Sequence, residues 1–365
     1  MMNREFLAKK SVDAFLTADE KTMWYFARFQ SSFGYLVLLP EKSYFITDLR
    51  YKEGAEKKLK PKKIEVVCAT PATVLDILAD LLKNAHTVGV QKDCITVENY
   101  EFLQKLGKEF VDMSEDVLAV ESVKTDEEIE LIRKACEITE KAFHHMLAHF
   151  KEGMTELEAV AKLEYRLKKY GGTGIAFDTI IAFGKNASVP HHVPDDTKLK
   201  KGMPVLMDFG CTYEGYCSDM TRTIYFGKPT DAFLEAYNTV LLAHYHTRDV
   251  IEAGMNTKDA DAAARRIIDG SKYKGLFTHS LGHGVGVHIH ELPFVSPSST
   301  AVFAENMVFT DEPGIYKEND FGIRIEDTLY IKNGRAVSFM EGNKGLIYIE
   351  HGKILKEKLP RELRR

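Results

Sequence analysis

One structural unit occurs twice in the later part of the chain, and this duplication restricts the possible folds more than any other feature of the sequence. A helical pattern over residues 129–150 is followed by Gly153-Met154-Thr155 and a second helical pattern. The same order recurs around Gly254-Met255-Asn256, 101 positions later. β-like segments follow each helix pair, at residues 175–183 and 279–287. We therefore predict two related halves that face one another across a cleft, which is a usual place for a ligand.

Capping boxes mark the starts of both helices in the first copy. Thr125 and Glu128 precede the first helical pattern, and Thr155 and Glu158 precede the second. In a capping box each side chain satisfies a backbone N–H that the first helical turn leaves unpaired. In the second copy we predict helices over residues 231–252 and 260–268. The segment before Thr125 is the predicted domain boundary, with one domain at residues 1–121 and the other at 122–365.

The leading domain alternates short apolar runs with helical patterns. The predicted strands lie at residues 35–39, 44–47, 64–69 and 87–90, and the predicted helices at residues 51–59, 73–83 and 97–106. This alternation predicts a sheet with helices packed across it. No cluster of reactive side chains occurs in this part of the sequence.

Composition excludes several classes of function. The formal net charge is −5 and the pI is about 6.3, so nothing indicates nucleic-acid binding. No stretch approaches the roughly 20 apolar residues of a membrane span, and the N-terminus lacks the apolar core of a signal peptide. The five cysteines are scattered and form no C-x-x-C pair, which favours a reducing compartment and hence the cytoplasm. The sequence contains neither a Walker A motif nor a G-x-S-x-G motif.

Two aspartates flank a predicted hairpin. Asp208 follows three apolar residues, and Asp219 lies in the predicted return strand after the turn at residues 213–216. We expect a simple hairpin to place Asp208 directly opposite Asp219, with their Cβ atoms about 5 Å apart. Two carboxylates so close repel each other, so a cation must lie between them or one must take up a proton.

Three further candidate ligands follow in the second copy. His283 lies between two glycines, where the absence of Cβ atoms is expected to let the imidazole approach an ion closely. Glu312 ends a predicted strand, and Glu326 lies in another that starts at Gly322, on the same face as Arg324. Four carboxylates and one imidazole neutralise two divalent cations, and this oxygen-rich set favours Mn²⁺. Such ions can polarise a carbonyl and activate water.

Five residues in these settings resemble the metal ligands of the dinuclear metallopeptidases with the pita-bread fold: Asp208, Asp219, His283, Glu312 and Glu326. That family includes methionine aminopeptidase, aminopeptidase P and prolidase, and the resemblance begins near Lys124. The leading domain, with Ile46-Thr-Asp-Leu-Arg50-Tyr51, resembles the creatinase-type N-terminal domain of aminopeptidase P and prolidase. The resemblance implies an α+β protein with a pita-bread C-terminal domain, which is the duplicated helix–helix–strand unit, and a creatinase-type α/β N-terminal domain.

The resemblance also implies a role for each ligand position. Asp219 and Glu326 would bridge two metal ions, His283 and Glu312 would complete one site, and Asp208 would chelate the other ion. Glu312 would also accept the proton of the attacking water.

Four more positions carry over outside the ligand set. His191 and His290 match catalytic histidines, and they are preferred to the adjacent His192 and His288 because of the flanking Pro190 and Glu291. His279 and Arg324 match residues that line the substrate pocket.

The implied cofactor is a pair of divalent metal ions, with Mn²⁺ favoured and Co²⁺ or Zn²⁺ as alternatives. The implied reaction is hydrolysis of an Xaa-Pro bond at a free N-terminus, and the implied assembly is a homodimer. Two forms of the activity stay open: aminopeptidase P acting on longer peptides, and prolidase acting on Xaa-Pro dipeptides. A metal-free creatinase-like hydrolase and a non-catalytic binding protein are further alternatives, but such relatives are expected to lack ligands that are intact here.

Overall fold

The computed structural model describes residues 2–342 and 344–363, which form two compact units divided between Glu121 and Ser122. Among these residues no helix is both long enough and apolar enough to cross a bilayer. The five cysteines are all free thiols.

The first unit is a mixed six-stranded sheet with helices packed on it. The strands are β1 (Ala14–Thr17), β2 (Tyr35–Leu38), β3 (Ser43–Thr47), β4 (Ile64–Cys68), β5 (Thr87–Val90) and β6 (Glu109–Asp112), in the order β4-β3-β2-β1-β5-β6. The helices are α1 (Met2–Ala8), α2 (Glu20–Ala27), α3 (Lys52–Leu59), α4 (Val74–Leu81), α5 (Val97–Gln104) and α6 (Ser114–Ser122). A short 3₁₀ helix spans Lys60–Lys62. Strands β3 and β4 run parallel, as do β1, β5 and β6.

The four strands and three helices predicted for this unit are all present, within two or three residues at their ends. Strands β1 and β6 were not predicted. β1 is a fully buried run of four residues, which cannot be distinguished from part of a helix by periodicity. β6 is a partly exposed edge strand with acidic residues at both ends.

Four helices of the second unit form the predicted duplication. They are α7 (Asp126–Leu147) with α8 (Glu156–Lys169), and α9 (Asp231–Val250) with α10 (Thr257–Asp269). The capping boxes of Thr125 with Glu128 and of Thr155 with Glu158 are both formed. The second copy uses single caps instead, from Thr230 and Asn256. The helix–helix–strand repeat is therefore confirmed.

The described strands of the second unit form two five-stranded sheets and two smaller sheets. The strands are β7 (Gly174–Ile175), β8 (Ile180–Phe183), β9 (Met203–Phe209), β10 (Cys211–Tyr213), β11 (Tyr216–Cys217), β12 (Met220–Phe226), β13 (Gly282–Gly284), β14 (Glu291–Val295), β15 (Val308–Asp311), β16 (Gly314–Lys317), β17 (Phe321–Arg324), β18 (Asp327–Lys332), β19 (Arg335–Ser338), β20 (Ile347–Glu350) and β21 (Lys353–Lys356). The five-stranded sheets have the orders β21-β20-β12-β9-β8 and β14-β13-β15-β18-β19, and the smaller sheets are β11-β10-β7 and β16-β17. Short 3₁₀ helices span Gly184–Ser188 and Arg361–Leu363.

A buried apolar cluster joins the second helix pair to both sheets. Val240 and Leu241 of α9 and Ala264 and Ile268 of α10 pack with Phe309 and other fully buried strand residues. The α9–α10 pair therefore covers an apolar face of these strands, and none of its residues lines the cavity described next.

Candidate metal centre

All nine residues that the sequence analysis selected line one cavity of about 540 Å³ in the second unit. They are His191, Asp208, Asp219, His279, His283, His290, Glu312, Arg324 and Glu326. The contributing segments come from both copies of the repeat. The predicted cleft between related halves is thus present, and the selected side chains meet in it.

Asp208 and Asp219 reach the cavity through a hairpin whose predicted register is wrong. The turn has two residues, Glu214 and Gly215, with φ angles of 44° and 82°, so Tyr213 pairs with Tyr216. The same register continues along the ladder and puts Thr221, not Asp219, opposite Asp208. Asp219 also lies between β11 and β12, outside either strand. The two aspartates still line the cavity together because the shift is two residues, which keeps the same face.

The glycines beside His283 serve strand packing and not the approach of an ion. A Cβ atom at Gly282 would lie 2.1 Å from the Thr310 carbonyl oxygen, and one at Gly284 would lie 2.1 Å from the Leu292 carbonyl oxygen. Only glycine fits between these backbones. The close packing fixes β13, and with it the direction of the His283 side chain.

Glu312 follows β15 directly, and Glu326 lies between β17 and β18. The single strand predicted from Gly322 through Glu326 to Ile331 is therefore wrong, since the chain changes sheet at Glu326. The Glu326 N–H donates to the Thr221 carbonyl at 3.1 Å, and the Thr221 hydroxyl donates to Glu326 Oε2 at 2.7 Å. The Thr310 hydroxyl donates to Glu312 Oε1 at 3.2 Å. These hydroxyls leave the other carboxylate oxygens directed at the cavity.

Crowding of carboxylates dominates the electrostatics of the cavity. Burial and then the charge of Glu326 raise the pKa values of Asp219 and Glu312 well above their usual range. Burial and then Asp208 raise the pKa of Glu326 to about 8. One oxygen of Asp208 and one of Asp219 are buried without a hydrogen-bond partner in the described part of the chain. Such a site is unfavourable unless cations neutralise it.

His283 presents an unprotonated nitrogen to these carboxylates. Its Nδ1 lies 3.1 Å from the Gly284 carbonyl oxygen, which can only accept, so Nδ1 carries the proton. Burial and then His290 lower the pKa of His283 to about 4, so Nε2 keeps a lone pair at neutral pH. That nitrogen lies 3.5 Å from Asp219 Oδ2 and 3.6 Å from Glu312 Oε1. A lone pair facing two acceptors fits a cation held among them, and ligand atoms of Asp219, His283 and Glu326 lie within 4.8 Å of one another.

The histidines chosen from the sequence and a neighbouring histidine lie in different places. His191 and His290 line the cavity, and the ring centroid of His290 is 4.2 Å from that of His283. His192 instead bonds to the buried Glu156. Burial lowers the pKa of His290, with a further contribution from His191.

Tyr316, which the sequence analysis missed, joins His279 to Arg324. Arg324 Nη1 donates to the Tyr316 hydroxyl at 2.7 Å, and that hydroxyl lies 2.8 Å from His279 Nε2. Arg324 also donates to Asp208 Oδ2 at 2.6 Å and to the Thr221 hydroxyl at 2.9 Å. Burial and then Arg324 lower the pKa of His279 to about 3, so His279 accepts from Tyr316. The guanidinium therefore balances part of the carboxylate charge.

An apolar wall was also missed. Phe177, Ile180 and Phe294 line the same cavity, and Phe294 is half-exposed at 48%. Ile180 is the cross-strand partner of Asp208, which places an apolar side chain beside a candidate ligand. Their pattern in the sequence is that of ordinary strand residues, so no local signal distinguishes them.

Two family descriptions match the chain. Residues 130–333 match metallopeptidase family M24, and residues 3–123 match the Creatinase/Prolidase N-terminal domain. These matches and the structural comparisons below confirm the predicted fold class, a pita-bread domain preceded by a creatinase-type domain.

Relatives match over almost the whole chain. An Xaa-Pro dipeptidase of Pyrococcus furiosus is 35% identical over 347 residues, covering 94% of this chain and 97% of the relative. The structure of an Xaa-Pro dipeptidase from Bacillus anthracis superposes with a TM-score of 0.90 at 34% identity, covering 95% of this chain and 98% of that one. An X-Pro aminopeptidase structure from Thermotoga maritima gives a TM-score of 0.89 at 32% identity, with coverage of 94% and 100%.

Proposed function

Because the chain belongs to metallopeptidase family M24, and is thus a metallo-exopeptidase that uses divalent metal ions, we propose that it hydrolyses Xaa-Pro bonds at a free N-terminus. The observation that carries this proposal is the convergence of four carboxylates and one neutral imidazole on one cavity. The relatives support the Xaa-Pro bond as the one that is cleaved, since those compared above are named for Xaa-Pro or X-Pro peptides.

We assign the metal ligands as Asp208, Asp219, His283, Glu312 and Glu326. Two ions suit this set because four carboxylates and a neutral imidazole balance two divalent charges. Oxygen-rich ligation with one nitrogen favours Mn²⁺, with Co²⁺ or Zn²⁺ as alternatives. When bound, such ions polarise the scissile carbonyl and make water a better nucleophile.

The chain's own residues supply the proton transfers and the orientation of the substrate. Glu312 is assigned as the general base that accepts a proton from the attacking water, since its carboxylate faces the cavity. We assign His191 and His290 to the stabilisation of the oxyanion and to contact with the leaving nitrogen. His279 and Arg324 are assigned to the substrate pocket, where Tyr316 holds them in one orientation.

Two substrate lengths are candidates, namely dipeptides and longer peptides. The sequence analysis favoured aminopeptidase P, with prolidase as the alternative. The names of the Pyrococcus furiosus and Bacillus anthracis relatives favour dipeptides, and the Thermotoga maritima name favours longer peptides. We propose the dipeptidase form, because two of the three relatives compared above are named Xaa-Pro dipeptidases. The homodimer and the cytoplasmic location stay predictions.

A paired assay tests this proposal. The metal-depleted protein is reloaded with Mn²⁺, Co²⁺ or Zn²⁺, and kcat/KM is compared for Xaa-Pro dipeptides and Xaa-Pro-Yaa tripeptides. Xaa-Ala dipeptides are the matched control for the prolyl ring, and N-acetylated substrates are the control for the free amine. Higher kcat/KM for dipeptides supports the dipeptidase form, and higher kcat/KM for tripeptides supports aminopeptidase P. Metal binding without cleavage of any Xaa-Pro peptide rejects the proposed function.

A further inference from the structure

Two neighbouring histidines lie in the loop between β8 and β9, and they contact different parts of the protein. His191 lines the metal-centre cavity. The Nε2 atom of His192 lies 2.7 Å from Oε2 of Glu156, the first residue of α8. The Glu156 side chain is completely buried, and that of His192 is 12% exposed. The loop therefore places one ring in the cavity while its neighbour is anchored in the interior.

Glu156 holds the start and the middle of this loop. Its Oε1 accepts hydrogen bonds from the Phe183 N–H at 2.7 Å and from Asn186 Nδ2 at 3.0 Å. Its Oε2 accepts from His192 Nε2 and from the Asp195 N–H at 2.9 Å. One carboxylate thus joins the residue that ends β8 to residues nine and twelve positions later.

The same cluster has the spacing of a metal site, since ligand atoms of Glu156, His192 and Asp195 lie within 4.8 Å of one another. The hydrogen bonds favour another interpretation. Each Glu156 oxygen already accepts two N–H bonds, and an ionised carboxylate can only accept, so His192 Nε2 carries the proton that faces it. A cation would have to displace that proton and the backbone donors. The cluster is therefore a hydrogen-bonded anchor.

A second contact fixes the loop from the other side. A Cβ atom at Gly322 of β17 would lie 1.6 Å from the Ala187 carbonyl oxygen, so the 3₁₀ turn of the loop lies directly on that strand. β17 ends at Arg324, which lines the cavity. His191 is thus carried by a segment that is fixed at Ala187 and again at His192.

We propose that His192 is a positioning residue that holds His191 at the working distance from the substrate, through the bond from His192 Nε2 to Glu156. This inference rests on the proposed function only in taking His191 as a catalytic residue. A neighbour anchored in a buried hydrogen bond restricts the backbone of His191, and a misplacement of about 1 Å at a catalytic group can cost about 100-fold in rate.

The test is a double-mutant cycle. In the wild-type background, His192→Ala should lower kcat by about 10- to 100-fold. The bound metal and the KM should stay at the wild-type level. His192→Gln should recover most of the rate, because the Gln amide presents an N–H at a similar reach. In the His191→Ala background, His192→Ala should have no further effect. An equal fold-loss in both backgrounds, or a loss of metal in parallel with activity, would overturn the proposal.

A crystal structure of the metal-loaded His192→Ala variant gives a readout that does not depend on turnover. Displacement of the His191 ring from its cavity position supports the positioning role, and an unmoved ring overturns it. If the wild-type protein cleaves no Xaa-Pro peptide, the proposed function fails, and the ring position still decides the role of His192.

Discussion

Asp311 and Asp327 face each other directly across β15 and β18, and each is one residue from a carboxylate of the candidate metal centre. His244 of α9 lies between them, with Nδ1 3.1 Å from Asp311 Oδ2 and Nε2 3.6 Å from Asp327 Oδ2. Neither contact meets full hydrogen-bond geometry, so the charges of the two carboxylates contribute a large part of the attraction. Burial lowers the pKa of His244, but the two aspartates outweigh burial and raise it to about 9.

This arrangement predicts a pH-dependent stability that disappears in His244→Gln. The folded-state pKa of His244 lies above the usual value of about 6.5, so its charge stabilises the fold fully below that pH. The stabilisation is lost as the pH rises through about 9. The free energy of unfolding of the wild type, relative to the variant, should fall by on the order of 3 kcal/mol over this range. Urea denaturation of the metal-loaded proteins at pH 6 to 9.5 measures it, and a constant difference would contradict the prediction.

Metal binding should release protons near neutral pH. The raised pKa values of Asp219, Glu312 and Glu326 mean that the metal-free protein holds protons that the cations displace. At pH 7 the release should be at least about one proton, since the pKa of Glu326 is about 8. Calorimetric titration with Mn²⁺ in buffers of different ionisation enthalpy counts the protons.

The same raised pKa values determine whether the metal-free protein gains or loses stability as the pH rises. Carboxyl groups with raised folded-state pKa values make the metal-free protein less stable as the pH rises from about 4 to 8. Metal should therefore raise Tm more at pH 8 than at pH 5.5. Glu326→Gln should release about one proton fewer, and the same proton count in this variant would remove Glu326 from the ligand set.

Glu312→Gln tests the general base, provided that its bound metal is measured in the same preparation, because Glu312 is also assigned as a metal ligand. The amide keeps the shape of the side chain but cannot accept the proton of water, so kcat should fall by about 100-fold or more. Glu312→Ala should abolish turnover for the same reason. The matched control is Glu318→Gln, which changes an exposed carboxylate on the neighbouring turn. Normal turnover by Glu312→Gln with its metal bound would disprove the assignment.

Local pattern predicted most of the elements, and the five candidate ligands chosen from the sequence lie in one cavity, whereas His191, His279 and His290 were chosen from the family resemblance. Asp208 follows Val205-Leu-Met, and the capping boxes at Thr125 and Thr155 identify their helices directly. These signals depend on neighbours within a few residues along the chain.

The relationships that were wrong or missed depend on geometry between distant segments. The two-residue turn at Glu214 and Gly215 set the pairing of Asp208 with Thr221, and a transfer between sheets separated Arg324 from Glu326. Tyr316 lies 37 residues from His279, and its role follows only from how β16 packs. None of these can be read from periodicity.

Tyr316→Phe tests whether the shared hydroxyl aligns His279 and Arg324. Removing it leaves Arg324 its bonds to Asp208 and Thr221 but takes away the donor to His279. We expect a loss of about 1.5–3 kcal/mol in the free energy of unfolding, as for a hydrogen bond to a charged group, and roughly a 10-fold lower kcat/KM with metal content unchanged.

Tyr330→Phe is the matched control for this substitution. The Tyr330 hydroxyl accepts a hydrogen bond from Arg133 Nη2 at 3.1 Å, and its ring is equally buried, but it does not line the cavity. This variant should lose some stability, less than Tyr316→Phe because Arg133 is partly exposed, and should keep its kcat/KM because the lost bond does not orient a residue of the site. If both variants lose activity in proportion to their Tm, the Tyr316 hydroxyl acts through general stability. A selective loss in Tyr316→Phe means that the hydroxyl sets the orientation of His279 and Arg324 in the substrate pocket.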